Sequence, residues 1–227
     1  MNGVIMKVIF EDKHILVVEK PQNIPIQRDR KGSVNLLDQA LDYLEFSCGI
    51  DSPYLGLVHR LDRHTGGIVV FAKHLQATRT LSELFASHMV NKQYLARVEG
   101  EVKSNHSKLT HYLLPDPSKN SVSAVPRGVK GAKEAILDIT VTSVYHLAEG
   151  DLSDVIIKLH TGRQHQIRVQ LSAIGHPILG DEKYGASWSS AYRNSMTLWS
   201  TSLSFKAFGI KYEFHSSPPF EGNWKIL

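Results

Sequence analysis

Three short segments of the chain carry side chains of types that could do chemistry. The first is His59-Arg60-Leu61-Asp62-Arg63-His64-Thr65-Gly66-Gly67, where one carboxylate lies between two guanidiniums and ahead of a glycine pair. Neighbouring cations favour the ionised carboxylate, and glycines permit tight backbone geometry. Asp62 could therefore be a reacting group, or it could cap a turn or form an ordinary ion pair. The second segment is Lys92-Gln93-Tyr94 at the entry to a strand, whose tyrosine could be a half-buried sheet residue or a catalytic one. The third is His160-Thr161-Gly162-Arg163-Gln164-His165-Gln166-Ile167-Arg168, in which Arg168 directly follows an apolar position. A cation at the border of a buried face needs an anionic partner or a route to solvent. Asp62 is a suitable partner by charge, although spacing does not show that the two meet.

The elements that must position these groups can be read from hydrophobic periodicity. Ile15 to Val18 and Ile68 to Ala72 are continuous apolar runs and predict buried strands. Leu37, Leu41 and Leu44 recur at helical spacing and predict a helix that Ser33 could cap. Leu81, Leu84, Phe85 and Met89 predict the apolar stripe of a second helix. Tyr94, Ala96 and Val98 alternate on one face of a strand that follows it. Ile136 to Tyr145, Val155 to His160 and the stretch from Thr197 to Phe214 predict further strands. A third helix is expected after a capping box formed by Thr161 and Gln164, with Ile167, Leu171 and Ile174 inward and Gly175 at its end. Many strands with few helices predict an α+β fold, a mixed, largely antiparallel β-sheet with flanking helices. No interior linker stands out, so a single domain over residues 1–227 is expected.

Composition narrows the function classes. The chain has 227 residues, 42% of them hydrophobic, enough to bury a core. The net charge of +4 permits nucleic acid as a partner without requiring it. Between Glu101 and Lys133, however, six basic residues face two acidic ones, in a stretch that also holds Pro115, Pro117 and Pro126. That pattern predicts a loop-rich insertion, either simply solvated or lying along a phosphate backbone. Cys48 is the only cysteine, which excludes an internal disulfide and thiolate clusters. No apolar run approaches the ~20 residues of a membrane helix. Residues 1–10 lack the pattern of a secretory signal, so a cytoplasmic address is expected.

Taken together and in order, the three segments resemble the RluA family of RNA pseudouridine synthases. Glu11 to Pro21 is similar to that family's opening strand and lysine-proline turn, and His59-Arg60-Leu61-Asp62 with Thr65 and Gly67 to its signature. Lys92-Gln93-Tyr94-Leu95-Ala96, Gly162 to Arg168, and Pro177 to Gly185 match its later motifs. Some positions depart from the usual pattern: Gln22-Asn23 for alanine-glycine, His64 for an acidic residue, Gly66 for serine and Gln170 for histidine. The similarity starts within about a dozen residues of Met1. The small RNA-binding domain that precedes it in many relatives is therefore expected to be absent.

The resemblance implies a pseudouridine synthase fold with a central catalytic cleft, and conversion of uridine to pseudouridine in tRNA or rRNA. That isomerisation exchanges no electrons and hydrolyses nothing, so it implies neither cofactor nor metal. It also implies roles: Asp62 as the reacting carboxylate, Arg168 as its charge partner and Tyr94 stacked on the uracil with Ile167 beneath. Arg60 would fill the space left by an extruded base. His59, Arg163, and the Arg28, Arg30 and Lys31 turn would contact an RNA stem-loop. A monomer with no obligate protein partner is expected. Two rivals remain, an RNA-binding protein of the same fold without catalysis and a glycosidic hydrolase pairing Asp62 with a second carboxylate.

Overall fold

The computed structural model describes residues 6–28, 32–188 and 196–225. Its strands up to the middle of the chain are β1 (Lys7–Glu11), β2 (Ile15–Lys20), β3 (Gly56–Leu57), β4 (Gly66–Ala72) and β5 (Asn91–Glu99). They are followed by β6 (His106–Asp116), β7 (Ser121–Val125), β8 (Lys133–Leu147), β9 (Gly150–Leu159), β10 (Leu198–Ala207) and β11 (Ile210–His215). The helices are α1 (Leu36–Asp42), α2 (Leu75–Ala86) and α3 (Gln166–Ala173). Strands dominate and their registers are antiparallel, as expected for the α+β class. The chain divides into two compact units, Met1–Val90 with Ser200–Pro218, and Asn91–Trp199 with Pro219–Leu227.

In the first unit the strand order is β1-β2-β4-β10, with β11 on β10 and β3 on the end of β4. Ile15, Leu16, Val17 and Val18 are wholly buried, which is why β2 is a continuous apolar run instead of an alternating one. Ile68, Val70, Leu203 and Phe205 share its core with Ala77 and Leu81 of α2. Met89, expected on the α2 stripe, lies beyond the helix end and is exposed. The cap of α1 is also different from expectation. Asn35, not Ser33, accepts the Asp38 N–H at 3.0 Å, because its side-chain oxygen lies at the residue where the backbone turns from extended to helical.

In the second unit the order is β5-β9-β8-β6-β7. Tyr94, Ala96 and Val98 all fall on a buried face of β5, as their alternation predicts. The region expected to be loop-rich contains the β6–β7 hairpin: Pro115 lies in β6 and only residues 117–120 form the turn. Proline is tolerated there because this hairpin is at the rim of the sheet. The capping box expected at Thr161 does not form. The α3 helix starts later, with His165 at φ 50 as its N-cap and no side-chain cap. Gln166 does the work instead: its Oε1 accepts from Thr161 Oγ1 at 2.8 Å and from the Arg163 N–H at 3.0 Å, while its Nε2 donates to the Ile136 carbonyl.

Candidate active site

Asp62 lies in the loop that joins β3 to β4. Because Gly56 pairs with Ala72 and Leu57 with Phe71, the chain leaves and re-enters the same strand pair, which fixes both ends of residues 58–65. Within the loop, Leu61 and Thr65 are buried, Asp62 is half-buried, and Arg60 and Arg63 are exposed. The Thr65 N–H donates to the Asp62 carbonyl at 3.1 Å, closing a tight turn at the carboxylate. His59 anchors the loop start. Its Nε2 accepts from the Val70 N–H at 2.9 Å, so the proton resides on Nδ1, and its ring stacks on Phe85 of α2 at 4.5 Å. The residue expected at the RNA is thus engaged inside the fold.

The other side of the loop is clamped to the turn after β2. Gln22 Nε2 donates to the His64 carbonyl at 2.9 Å, and Arg63 Nε donates to the Asn23 carbonyl at 3.1 Å. Asn23 Oδ1 also lies 2.8 Å from His64 Nδ1. Asn23 has φ 67, a left-handed conformation that asparagine tolerates better than most residues. Two of the departures noted in the sequence, Gln22-Asn23 and His64, therefore face each other. At the loop's far end Gly67 has φ 108, and an added Cβ would come within 2.3 Å of the Ser200 carbonyl oxygen. Only glycine lets β10 approach there.

Lys20 is the feature that sequence reading missed. Its side chain is wholly buried, and its ammonium donates to the carbonyls of Pro21 at 2.9 Å, Ile24 at 2.7 Å and Arg63 at 2.9 Å. Burial pushes its pKa down to about 7; the negative charge of Asp62 opposes that fall and Arg63 adds to it. Three N–H bonds to three carbonyls match an ammonium better than a neutral amine, which has only two donors. In its protonated form Lys20 is a cation held close to Asp62 from inside the first unit.

The remaining predicted residues lie in the second unit or at the periphery. Tyr94 is buried on β5 opposite Ile157 of β9. Ile167 and Arg168 are buried in the first turn of α3. Arg168 forms a two-pronged ion pair with Asp181, Nε to Oδ2 and Nη2 to Oδ1, both at 2.7 Å. Its Cζ also lies 4.8 Å from the centre of the Tyr184 ring. Asp181 and Tyr184 were quoted only as part of a matching loop, since no spacing rule says that a helix arginine will pair thirteen residues downstream. Arg163 Nε donates to the Glu134 carbonyl at 3.0 Å. Arg28 is exposed and pairs with Asp38 at 2.7 Å, whereas Arg30 and Lys31 lie outside the described residues. No helix among the described residues is long and apolar enough to cross a membrane.

Comparison with known proteins places the chain in a family. Residues 14–173 match the profile of the family described as RNA pseudouridylate synthase. An RNA pseudouridine synthase of Aquifex aeolicus is 33% identical over 98% of this chain and 68% of its own length. The dual-specificity RNA pseudouridine synthase RluA of Vibrio vulnificus is 31% identical over 88% of this chain and 77% of its own. Other curated relatives are longer, and the chain spans only 56 to 58% of several of them. The human RNA pseudouridylate synthase domain containing 1 shares the fold, with a TM-score of 0.78 at 24% identity over 99% of this chain and 89% of its own. The chain belongs to the RNA pseudouridylate synthase family, among its RluA-type members, a family of isomerases.

Proposed function

We propose that this chain isomerises uridine to pseudouridine within RNA and that Asp62 is the carboxylate that acts on the sugar. The observation that supports this most is the half-buried Asp62 on a loop clamped at both ends, with the buried Lys20 ammonium beside it. A carboxylate so placed is oriented before substrate arrives, and orientation is a large part of catalysis. The bond from ribose to the ring nitrogen breaks, the uracil turns, and a bond to ring carbon replaces it; that carbon then loses its proton and the freed ring nitrogen gains one, so the mass is unchanged. Asp62 either attacks the sugar carbon or removes a sugar proton; both routes end in the same product. By the family resemblance, Arg168 supplies the positive charge that keeps Asp62 ionised, Tyr94 stacks on the uracil and takes up the departing proton, and Ile167 packs beneath the ring. Exclusion of water is essential, since hydrolysis of the activated sugar would leave an abasic site.

The substrate form follows from reach. A uridine in folded RNA must be turned out of its stack, which costs a few kcal/mol. The exposed Arg60 is suited to fill the vacated space with its flat guanidinium. Lys119, Arg127 and Lys130 are exposed around the β6–β7 hairpin and grip the phosphates of a tRNA or rRNA stem-loop. The test is a nucleoside digest of total RNA incubated with the protein. Pseudouridine of unchanged mass supports the proposal; free uracil with abasic sites supports a hydrolase and overturns it.

A further inference from the structure

Arg168 cannot set its own direction. A guanidinium is planar and rigid, so whatever grips one edge orients the other. The edge gripped here is Nε with one Nη2 hydrogen, held by the buried Asp181. The face is covered by the ring of Tyr184 at 4.8 Å. Tyr184 is in turn fixed by contacts from three parts of the second unit. Its hydroxyl accepts the Val122 N–H of β7 at 3.1 Å and lies 2.6 Å from His165 Nδ1. The Tyr184 carbonyl accepts from Ser172 Oγ of α3 at 2.6 Å, and its N–H donates to the Asp181 carbonyl at 3.0 Å.

The same residues tie in the basic hairpin. Lys183 Nζ donates to the carbonyls of Lys119 at 3.3 Å and Asn120 at 2.6 Å, and Gln164 Nε2 donates to Asn120 Oδ1 at 3.0 Å. The hairpin turn is therefore bonded to the residues on either side of Arg168's support. We infer that Tyr184 is a positioning residue: it sets the plane of Arg168 and transmits to it the placement of the β6–β7 hairpin. This rests on the proposal that Arg168 serves Asp62. The connection is mechanical, because the half-buried ring lies against the cation while its hydroxyl is bonded to a hairpin amide, so the two are coupled.

The test compares Tyr184→Phe, Tyr184→Leu and Arg168→Ala with the unmodified protein, using total RNA labelled with ring-tritiated uridine as the probe. Tyr184→Phe keeps the ring and loses the hairpin tie; Tyr184→Leu loses both. Loss of a desolvated cation–ring contact corresponds to about tenfold in rate. Tyr184→Leu is expected to lower kcat about tenfold and Tyr184→Phe about threefold, each with KM and melting temperature nearly unchanged. Wild-type kcat in both Tyr184 variants, alongside an inactive Arg168→Ala, overturns the role of Tyr184 alone. Full activity of Arg168→Ala overturns the underlying role of Arg168. A loss in Tyr184→Leu that follows the fall in folded protein, with Tyr184→Phe at wild-type kcat, shows a merely structural tyrosine and also overturns the inference.

Discussion

Replacing Lys20 with methionine tests how the loop that carries Asp62 is held, because the outcome has a sign that depends on pH. The wholly buried ammonium has its pKa lowered by burial from 10.5 to about 7. Between those values the unfolded chain binds the proton that the folded chain has released, so stability rises with pH. Below about 7 both states are protonated and the burial cost of the charge is present in full; it is relieved as pH rises toward 10.5. The slope inside this window is about 1.4 kcal/mol per pH unit. From about pH 7.5 to about pH 9.5 the unmodified protein should therefore gain about 2 to 3 kcal/mol relative to Lys20→Met. For a chain of this length that corresponds to roughly 5 to 10 °C in the difference between melting temperatures. Thermal melts of both proteins at the two pH values measure it. Lys92, whose pKa is also lowered by burial, contributes equally to both proteins and drops out of the difference. Parallel melting curves, with a constant difference across the window, would refute the reasoning.

Two further perturbations follow from the same geometry. Gly67→Ala places a carbon 2.3 Å from a backbone oxygen at a positive φ, so neither rotation nor side-chain movement relieves it. It should cost several kcal/mol and show as loss of soluble protein or a melting temperature lower by about 10 °C. Replacing Lys119, Arg127 and Lys130 together with glutamine should weaken RNA binding and flatten its salt dependence. The log–log slope should fall by roughly 2 if each residue meets one phosphate of a single strand, as binding titrations at several salt concentrations would show. An unchanged slope would remove the hairpin from the RNA contact surface.

How much of this was legible in the sequence depends on the range of the interactions. The buried strands at Ile15 and Ile68 and the alternation at Tyr94 are local patterns, and the structure reproduces them. Helix starts were misread for a physical reason. Asn35 and Ser33 are both good caps, and the choice between them rests on where the backbone turns. At α3 a buried glutamine, not the predicted threonine, satisfies the turn through contacts with a distant strand. The loop-rich reading of residues 101–133 holds for 101–105, 117–120 and 126–132 but missed the paired strands between them, because a proline is tolerated at the rim of a sheet. The motifs containing Lys20 and Asp181 were visible, but the bonds these residues make were not. Lys20 and Arg63 are distant in sequence, as are Arg168 and Asp181, and their bonds exist only once the chain has folded.

The central claim is that one side chain does the chemistry. Single-turnover tritium release from ring-labelled RNA should fall to background in Asp62→Asn, while RNA affinity measured on the same samples stays within about twofold of the original. Release that continues in Asp62→Asn at a comparable rate would show that this carboxylate is not the reacting group.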